Sequence, residues 1–130
     1  MSKFKIPTKV FLAMGGWRQP LLMVDRIDDF KYGENGYVKV IKHITYNEPY
    51  LLGHFPEDPI MPGAIISEIF GQASEYFSFL CDICDIYQLR TGREFLSLRD
   101  IHTYIDQPDM LEVIHKRRAQ VRGVLAAQNL

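Results

Sequence analysis

The residues best suited to do chemistry lie in one stretch of the chain. His54 sits in a turn-rich segment, Gly53-His54-Phe55-Pro56, and three prolines (Pro56, Pro59 and Pro62) stiffen the backbone around it. Pro62-Gly63 then reads as a helix entrance, and Glu68 and Gln72 follow four residues apart, which places them on one face of that helix. An imidazole exchanges a proton near neutral pH. Held on rigid backbone, with a helix N-terminus and a carboxyl close by in sequence, it is a start on an acid–base site. The same residues also fit an ordinary loop running into an ordinary helix, so the choice rests on what surrounds them.

Other chemistry-bearing residues have plainer readings. Cys81 and Cys84 form a C-x-x-C, but late in an apolar-periodic segment and not at a helix start after a strand. Their spacing puts both thiols on one helical face, as small core or interface residues. With a single cysteine pair, and His102 far off in sequence, no metal site is expected. Asp25-Arg26 reads as a structural ion pair or a strand-end hydrogen bond, and His43 as a surface or cross-strand residue. Lys116-Arg117-Arg118 reads as a solvated strand end.

The elements that must position His54 and Glu68 can be read from periodicity. A short helix is expected within Lys3–Met14, starting at Pro7 or Thr8 and ended by Gly15-Gly16. Leu21–Phe30 is strand-like, residues 32–36 form a turn with two glycines, and Tyr37–Thr45 alternates as a second strand, which predicts a hairpin. From Ile65 to Cys84 apolar residues recur with a 3.6 period, so a helix is expected from Pro62 or Gly63 to about Tyr87. Glu94–Ile105 and Met110–Lys116 read as third and fourth strands, with Gln120–Ala127 as a fifth. The fold class is therefore α+β, a long helix on one face of an antiparallel sheet whose other face calls for a partner.

Bulk properties narrow the function classes. A chain of 130 residues fits one domain, 1–130. A net charge of -1 gives no electrostatic case for nucleic acid or an anionic membrane. No apolar run reaches the roughly 18 residues of a membrane span, and Phe11–Met14 is too short for a signal peptide. A cytoplasmic location is the expectation. There is no internal repeat or low-complexity tract.

Gly53-His54-Phe55-Pro56, then Pro59-Ile60-Met61-Pro62-Gly63, then Glu68 and Gln72, resembles the signature of the hotdog-fold 3-hydroxyacyl-acyl-carrier-protein dehydratases of the FabZ type. Pro20-Leu21-Leu22-Met23-Val24-Asp25-Arg26 and Asn47-Glu48-Pro49-Tyr50 fit the same pattern. The resemblance runs from about Pro20 to Ala73 and continues loosely from Phe95 to Arg118. It implies a long central helix wrapped by a curved antiparallel sheet, and a homodimer or multiple of dimers. In that dimer His54 of one subunit faces Glu68 of the other.

It also implies a role for each residue. His54 would be the base that takes the C2 proton. Glu68 would be the acid that protonates the leaving C3 hydroxyl, which calls for apolar surroundings such as Ile65 and Ile69. The Gly63 N–H would support the enolate oxygen, and Gln72 would orient the carboxyl. An acyl tunnel would be lined in part by Phe55, Ile60, Met61, Pro62 and Phe95. The substrate would arrive on acyl carrier protein, no cofactor would be needed, and a glutamate in place of an aspartate points to dehydration without isomerisation.

The chain departs from that pattern in places. Gly16-Trp17-Arg18 stands where Pro-His-Arg is usual, Tyr76–Arg93 has no close counterpart, and Glu94 stands where an aromatic often gates the tunnel. The strand that normally closes the sheet is expected to be missing or abbreviated. Two other readings share the fold: a thioesterase in which Glu68 activates water, and a non-catalytic acyl-binding or subunit-stabilising module.

Overall fold

Pro7 has no N–H to leave unpaired and its fixed φ suits a helix entrance; α1 (Thr8–Met14) begins directly after it and buries Val10, Phe11, Ala13 and Met14. The computed structural model of the chain describes residues 4–105 and 107–117. Two antiparallel strands follow, β1 (Arg26–Lys31) and β2 (Tyr37–Ile41), paired from Arg26↔Ile41 to Lys31↔Tyr37 with an irregularity between Ile27 and Asp29. Gly33, at φ +117°, lets the connecting turn reverse where a Cβ would be strained.

The first strand starts later than its composition suggests. Leu21 and Leu22 donate their N–H groups to the Arg18 carbonyl, which makes a turn of the residues expected to begin the strand. The Met23 N–H goes to the Gln72 side chain, so ladder pairing begins only with Asp25 N–H to the Ile41 carbonyl at 2.8 Å. Asp25 also accepts the His43 N–H at 2.5 Å, whereas Arg26 lies 3.7 Å from buried Asp28. Asp25 thus makes a strand-end hydrogen bond.

The central element is α2 (Gly63–Thr91), 29 residues and ~43 Å long at the rise of an α-helix. It runs a turn past Tyr87 and stops at Gly92, whose φ of 68° is the left-handed conformation that ends helices and whose N–H donates to the Gln88 carbonyl. Tyr76, Phe79, Leu80, Ile83, Cys84 and Tyr87 form one buried stripe along its C-terminal two-thirds. The N-terminal third is different, with Ile66 and Phe70 exposed.

After α2 the expected third and fourth strands are not formed. Among the described residues only Ser97 bridges to the sheet, opposite Lys31, with the Tyr32 N–H reaching the Leu96 carbonyl. The chain then enters α3 (Leu98–His102), whose start is a capping box of Ser97 and Asp100. Residues 108–117 are helical as well. The physical reason is periodicity: the buried residues Leu98, Ile101 and Ile105, then Met110, Val113 and Ile114, repeat at three and four, which lines up on a helix and scatters over both faces of a strand. The 108–117 helix runs antiparallel to the end of α2, tied by Arg90 to Asp109 and by Arg117 to Asp82. The expected fifth strand, Gln120–Ala127, lies outside the described residues. The α+β arrangement, a long helix against antiparallel strands, holds, and the described sheet has two strands.

Candidate functional site

His54 is held by a loop that closes on itself. A short 3₁₀ turn (Pro49–Leu52), anchored by buried Leu51, delivers the chain to Gly53. The Lys42–Glu48 ion pair, 2.7 Å apart and mostly buried, ties the residue after β2 to the start of that turn. Between residues 54 and 60 the backbone pairs with itself: Ile60 N–H to the His54 carbonyl at 2.8 Å, and Phe55 and Asp58 in exchange at 3.2 and 3.1 Å. Pro56 and Pro59 bring no N–H that would need a partner there.

The imidazole is fixed by the same residue. His54 Nδ1 lies 2.8 Å from the Ile60 carbonyl oxygen. A carbonyl can only accept, so Nδ1 carries the proton and, in the neutral ring, Nε2 presents the lone pair. The Phe55 ring stacks on the imidazole with centroids 4.6 Å apart.

The second half of the site is built on α2. Pro62 precedes the first helical residue, no side chain caps that end, and its first turn carries no acid. The Ile65 and Ile66 N–H groups donate to the Pro62 carbonyl, whereas the N–H groups ahead of them, at Gly63 and Ala64, lie before the helical ladder and meet no neutralising side-chain charge at the positive end of the helix. A Cβ placed on Gly63 would meet nothing within 4 Å, so the space in front of it is free. One turn further on, half-buried Glu68 accepts a hydrogen bond through Oε1 from Gln72 Nε2 at 3.0 Å. Gln72 is fully buried, at 0% exposure; its Nε2 also donates to the Leu21 carbonyl at 2.8 Å, and its Oε1 accepts the Met23 N–H at 2.9 Å. The backbone at residues 21–23 therefore sets the Gln72 amide, and Gln72 in turn sets one oxygen of Glu68. Leu21 and Met23 are members of the site that sequence reasoning missed: they act through backbone groups some fifty residues away, for which no side-chain spacing gives a signal.

The structure groups the sequence-expected residues in two sets. His54, Phe55 and Ile60 are together, as are Glu68 and Gln72. Among the described residues no hydrogen bond or ion pair joins His54 to Glu68. Met61 and Pro62, half-buried, connect the sets. Phe95 belongs to neither set within the chain. It packs with Tyr87 and Tyr104 at centroid distances of 5.8 and 5.4 Å. Tyr87 lies ~28 Å along α2 from Glu68 of the same chain. Around the two sets Leu52, Phe55, Ile60, Ile66 and Phe70 are all more than two-fifths exposed.

The cysteines stand apart from this chemistry. Burial pushes both thiols up, Cys84 to about 12, which keeps them protonated and unreactive near neutral pH. Among the described residues, no group of three His, Cys, Asp or Glu side chains could hold a metal ion, and no helix is long and apolar enough to cross a membrane.

Comparison with known proteins bears on the same segment. A FabA-like domain is matched over residues 17–90, which takes in β1, β2, the His54 loop and nearly all of α2. The chain belongs to the FabA-like family. Within that family it is similar to a protein named 3-hydroxyacyl-[acyl-carrier-protein] dehydratase FabZ from Thioalkalivibrio sulfidiphilus, 50% identical over 62 residues, 48% of this chain and 40% of the relative. Proteins of the same name from Cupriavidus taiwanensis and Haemophilus influenzae are 39% identical over 83 residues and 45% identical over 74. Those matches cover 64% and 57% of this chain, and 54% and 49% of the relatives. The FabA-like chain thus spans about half the length of the curated relatives it matches. No solved structure gives a significant match. The FabA-like match ends at residue 90, and it is after that point that helices stand where further strands were expected.

Proposed function

We propose that this chain is a dehydratase of acyl thioesters, removing water from a 3-hydroxyacyl group carried on acyl carrier protein to give the trans-2-enoyl thioester, as in fatty-acid biosynthesis. The observation that carries the reading is the hydrogen bond from His54 Nδ1–H to the Ile60 carbonyl, which leaves Nε2 as the base. Nε2 takes the proton from C2, the C2–C3 double bond forms, and the C3 hydroxyl leaves as water with a proton from Glu68. Gln72 donates to Glu68 Oε1, which leaves Oε2 to carry the transferred proton. The open N–H of Gly63, at the positive end of α2, supports the thioester oxygen as charge develops on it. Proton transfers alone complete the reaction, so it calls for no cofactor.

The two halves meet between chains in this reading. No hydrogen bond or ion pair joins His54 to Glu68 among the described residues of one chain, and the apolar side chains Phe55, Ile60, Ile66 and Phe70 in these segments are exposed. A homodimer that covers this surface and sets His54 of one subunit opposite Glu68 of the other accounts for both facts. Phe55, Ile60, Met61 and Pro62 would then line the entrance for the acyl group.

The test is hydration and dehydration of carrier-bound acyl groups of several lengths, followed by enoyl absorbance and by thiol release. Enoyl formation without thiol release is the expected result. Thiol release without enoyl would make the chain a thioesterase. Saturable binding with neither product would make it a non-catalytic acyl-binding module.

A further inference from the structure

The segment that carries His54 is nearly self-contained. Its hydrogen bonds begin with the Glu48 N–H to the Thr45 carbonyl and the Leu51 N–H to the Glu48 carbonyl, and run on to the closed loop at 54–60. Among the described residues, every hydrogen bond of residues 45–61 ends within that segment, with one exception. The exception is the Glu48 carboxylate, which accepts a hydrogen bond from Lys42 Nζ at 2.7 Å. Lys42 directly follows β2, and Glu48 directly precedes the 3₁₀ turn that leads to Gly53 and His54. The two side chains are 13% and 16% exposed, and no other described ion pair has both partners less than a fifth exposed.

We infer that Glu48, tied by Lys42, is a positioning residue for His54: the pair fixes where the His54 loop stands against β2, while the loop's own bonds fix its shape. Buried Leu51 is an apolar anchor for the same segment. Apolar burial is non-directional, so it holds the turn down without setting its orientation. A hydrogen bond between charged groups sets both a distance and an angle, and with water largely excluded it is weakly screened.

Shape and placement are therefore separable. Without the pair, the 54–60 loop keeps Nδ1–H on the Ile60 carbonyl and Nε2 open, yet it can swing as a body. A base that has moved by about 1 Å can lose about a hundredfold in rate. That consequence rests on the dehydratase reading, and the tie itself does not.

Three variants of the full chain test the pair. Lys42→Met with Glu48→Met replaces it by apolar side chains of similar length, an exchange that often leaves overall stability unchanged. Lys42→Glu with Glu48→Lys restores an ion pair of reversed polarity, and Glu48→Gln keeps an oxygen for Lys42 without the charge. Amide hydrogen exchange reads the tie without any turnover. In the double-methionine variant the Leu51 and Ile60 N–H groups should exchange about tenfold faster, the equivalent of one hydrogen bond, with those of Leu80 and Ile83 in α2 unchanged. Dehydration of a carrier-bound 3-hydroxyacyl group reads the consequence: kcat should fall about a hundredfold at unchanged KM, and the reversed pair should recover most of the loss. The inference is overturned if the folded double-methionine variant exchanges or turns over as the parent does, or if the folded reversed pair turns over no better than it. Should neither double variant fold, Glu48→Gln decides: a lower kcat at the parent's KM upholds the inference, and parent-like turnover overturns it. A parent chain without dehydratase turnover would remove the dehydratase reading, and the exchange result would still decide the tie.

Discussion

Gln72 is the residue whose loss should cost most relative to its visibility in the sequence. It has no exposed surface and makes three hydrogen bonds, two to backbone groups of residues 21 and 23 and one to Glu68. Gln72→Leu keeps roughly the size of the side chain and removes all three. The Met23 N–H, on a residue only 6% exposed, is then left without an acceptor, and a buried unpaired donor costs about 1–3 kcal/mol. The Leu21 carbonyl belongs to an exposed residue and can take water, so its loss adds less. The net estimate is ~2 kcal/mol, and at about 4 °C per kcal/mol for a chain of this size the thermal midpoint should fall by roughly 8 °C. Far-ultraviolet circular dichroism measures it directly. Gln72→Glu is the informative partner: it keeps an oxygen for the Met23 N–H but sets two carboxyl groups side by side, so it should be less stable at pH 8 than at pH 5. If Gln72→Leu melted within about 2 °C of the parent, the clasp would carry no weight and the placement of Glu68 would need another cause.

The remaining predictions concern the loop, the acid, the thiols and the last helix. His54→Asn keeps a donor for the Ile60 carbonyl but has no Nε2, so turnover should fall at least about a hundredfold with the melting curve little changed; near-normal rates would remove His54 as base. Glu68→Gln should lose rate on the same scale and still accept the Gln72 N–H through its own carbonyl oxygen. Burial raises the acid-form preference of Cys84 from 9.0 to about 12 and of Tyr87 from 10.0 to about 12, so the stability they contribute is intact below pH 9 and lost as pH climbs towards 12. A denaturation series that is flat through that window would contradict the burial of these groups. In the native protein Cys84 should also resist alkylation at pH 8 that goes to completion in denaturant. Ile114→Ala should cost about 2–5 kcal/mol as a buried core truncation, whereas Arg90→Ala, at a half-exposed ion pair, should cost at most about 1 kcal/mol.

The legible parts of this chain are those whose residues settle matters locally. The hairpin was readable because Gly33 and Gly36 punctuate an apolar run and an alternating one, and α2 because its apolar period is sustained over many turns. The spacing of Glu68 and Gln72 on one face followed from the helix alone. Two things were not legible. Leu21–Met23 looked like strand because it is apolar, yet its backbone groups are taken by a turn at Arg18 and by Gln72, a competition that only the folded chain displays. Glu94–Ile105 and Met110–Lys116 looked like strands because short runs of apolar residues stand there on either side of a turn. Their burial pattern at three and four, and the Ser97–Asp100 capping box, were present in the sequence and carried the better signal.

The two halves of the candidate site are held by different physical means, and this bears on how the site can fail. His54 depends on a loop whose hydrogen bonds run among residues 54 to 60, so damage elsewhere in the fold should leave its tautomer intact. Glu68 depends on Gln72, and Gln72 on the backbone between α1 and β1, so a change that moves that segment reaches the proposed acid and not the proposed base. On the proposed homodimer reading, the apolar residues that surround both halves, exposed in one chain, have to be buried between subunits for the site to form. Losses of activity should therefore fall into three separable kinds. Base defects would leave stability and association unchanged, acid defects would travel with a lower melting point, and association defects would be rescued by raising the protein concentration.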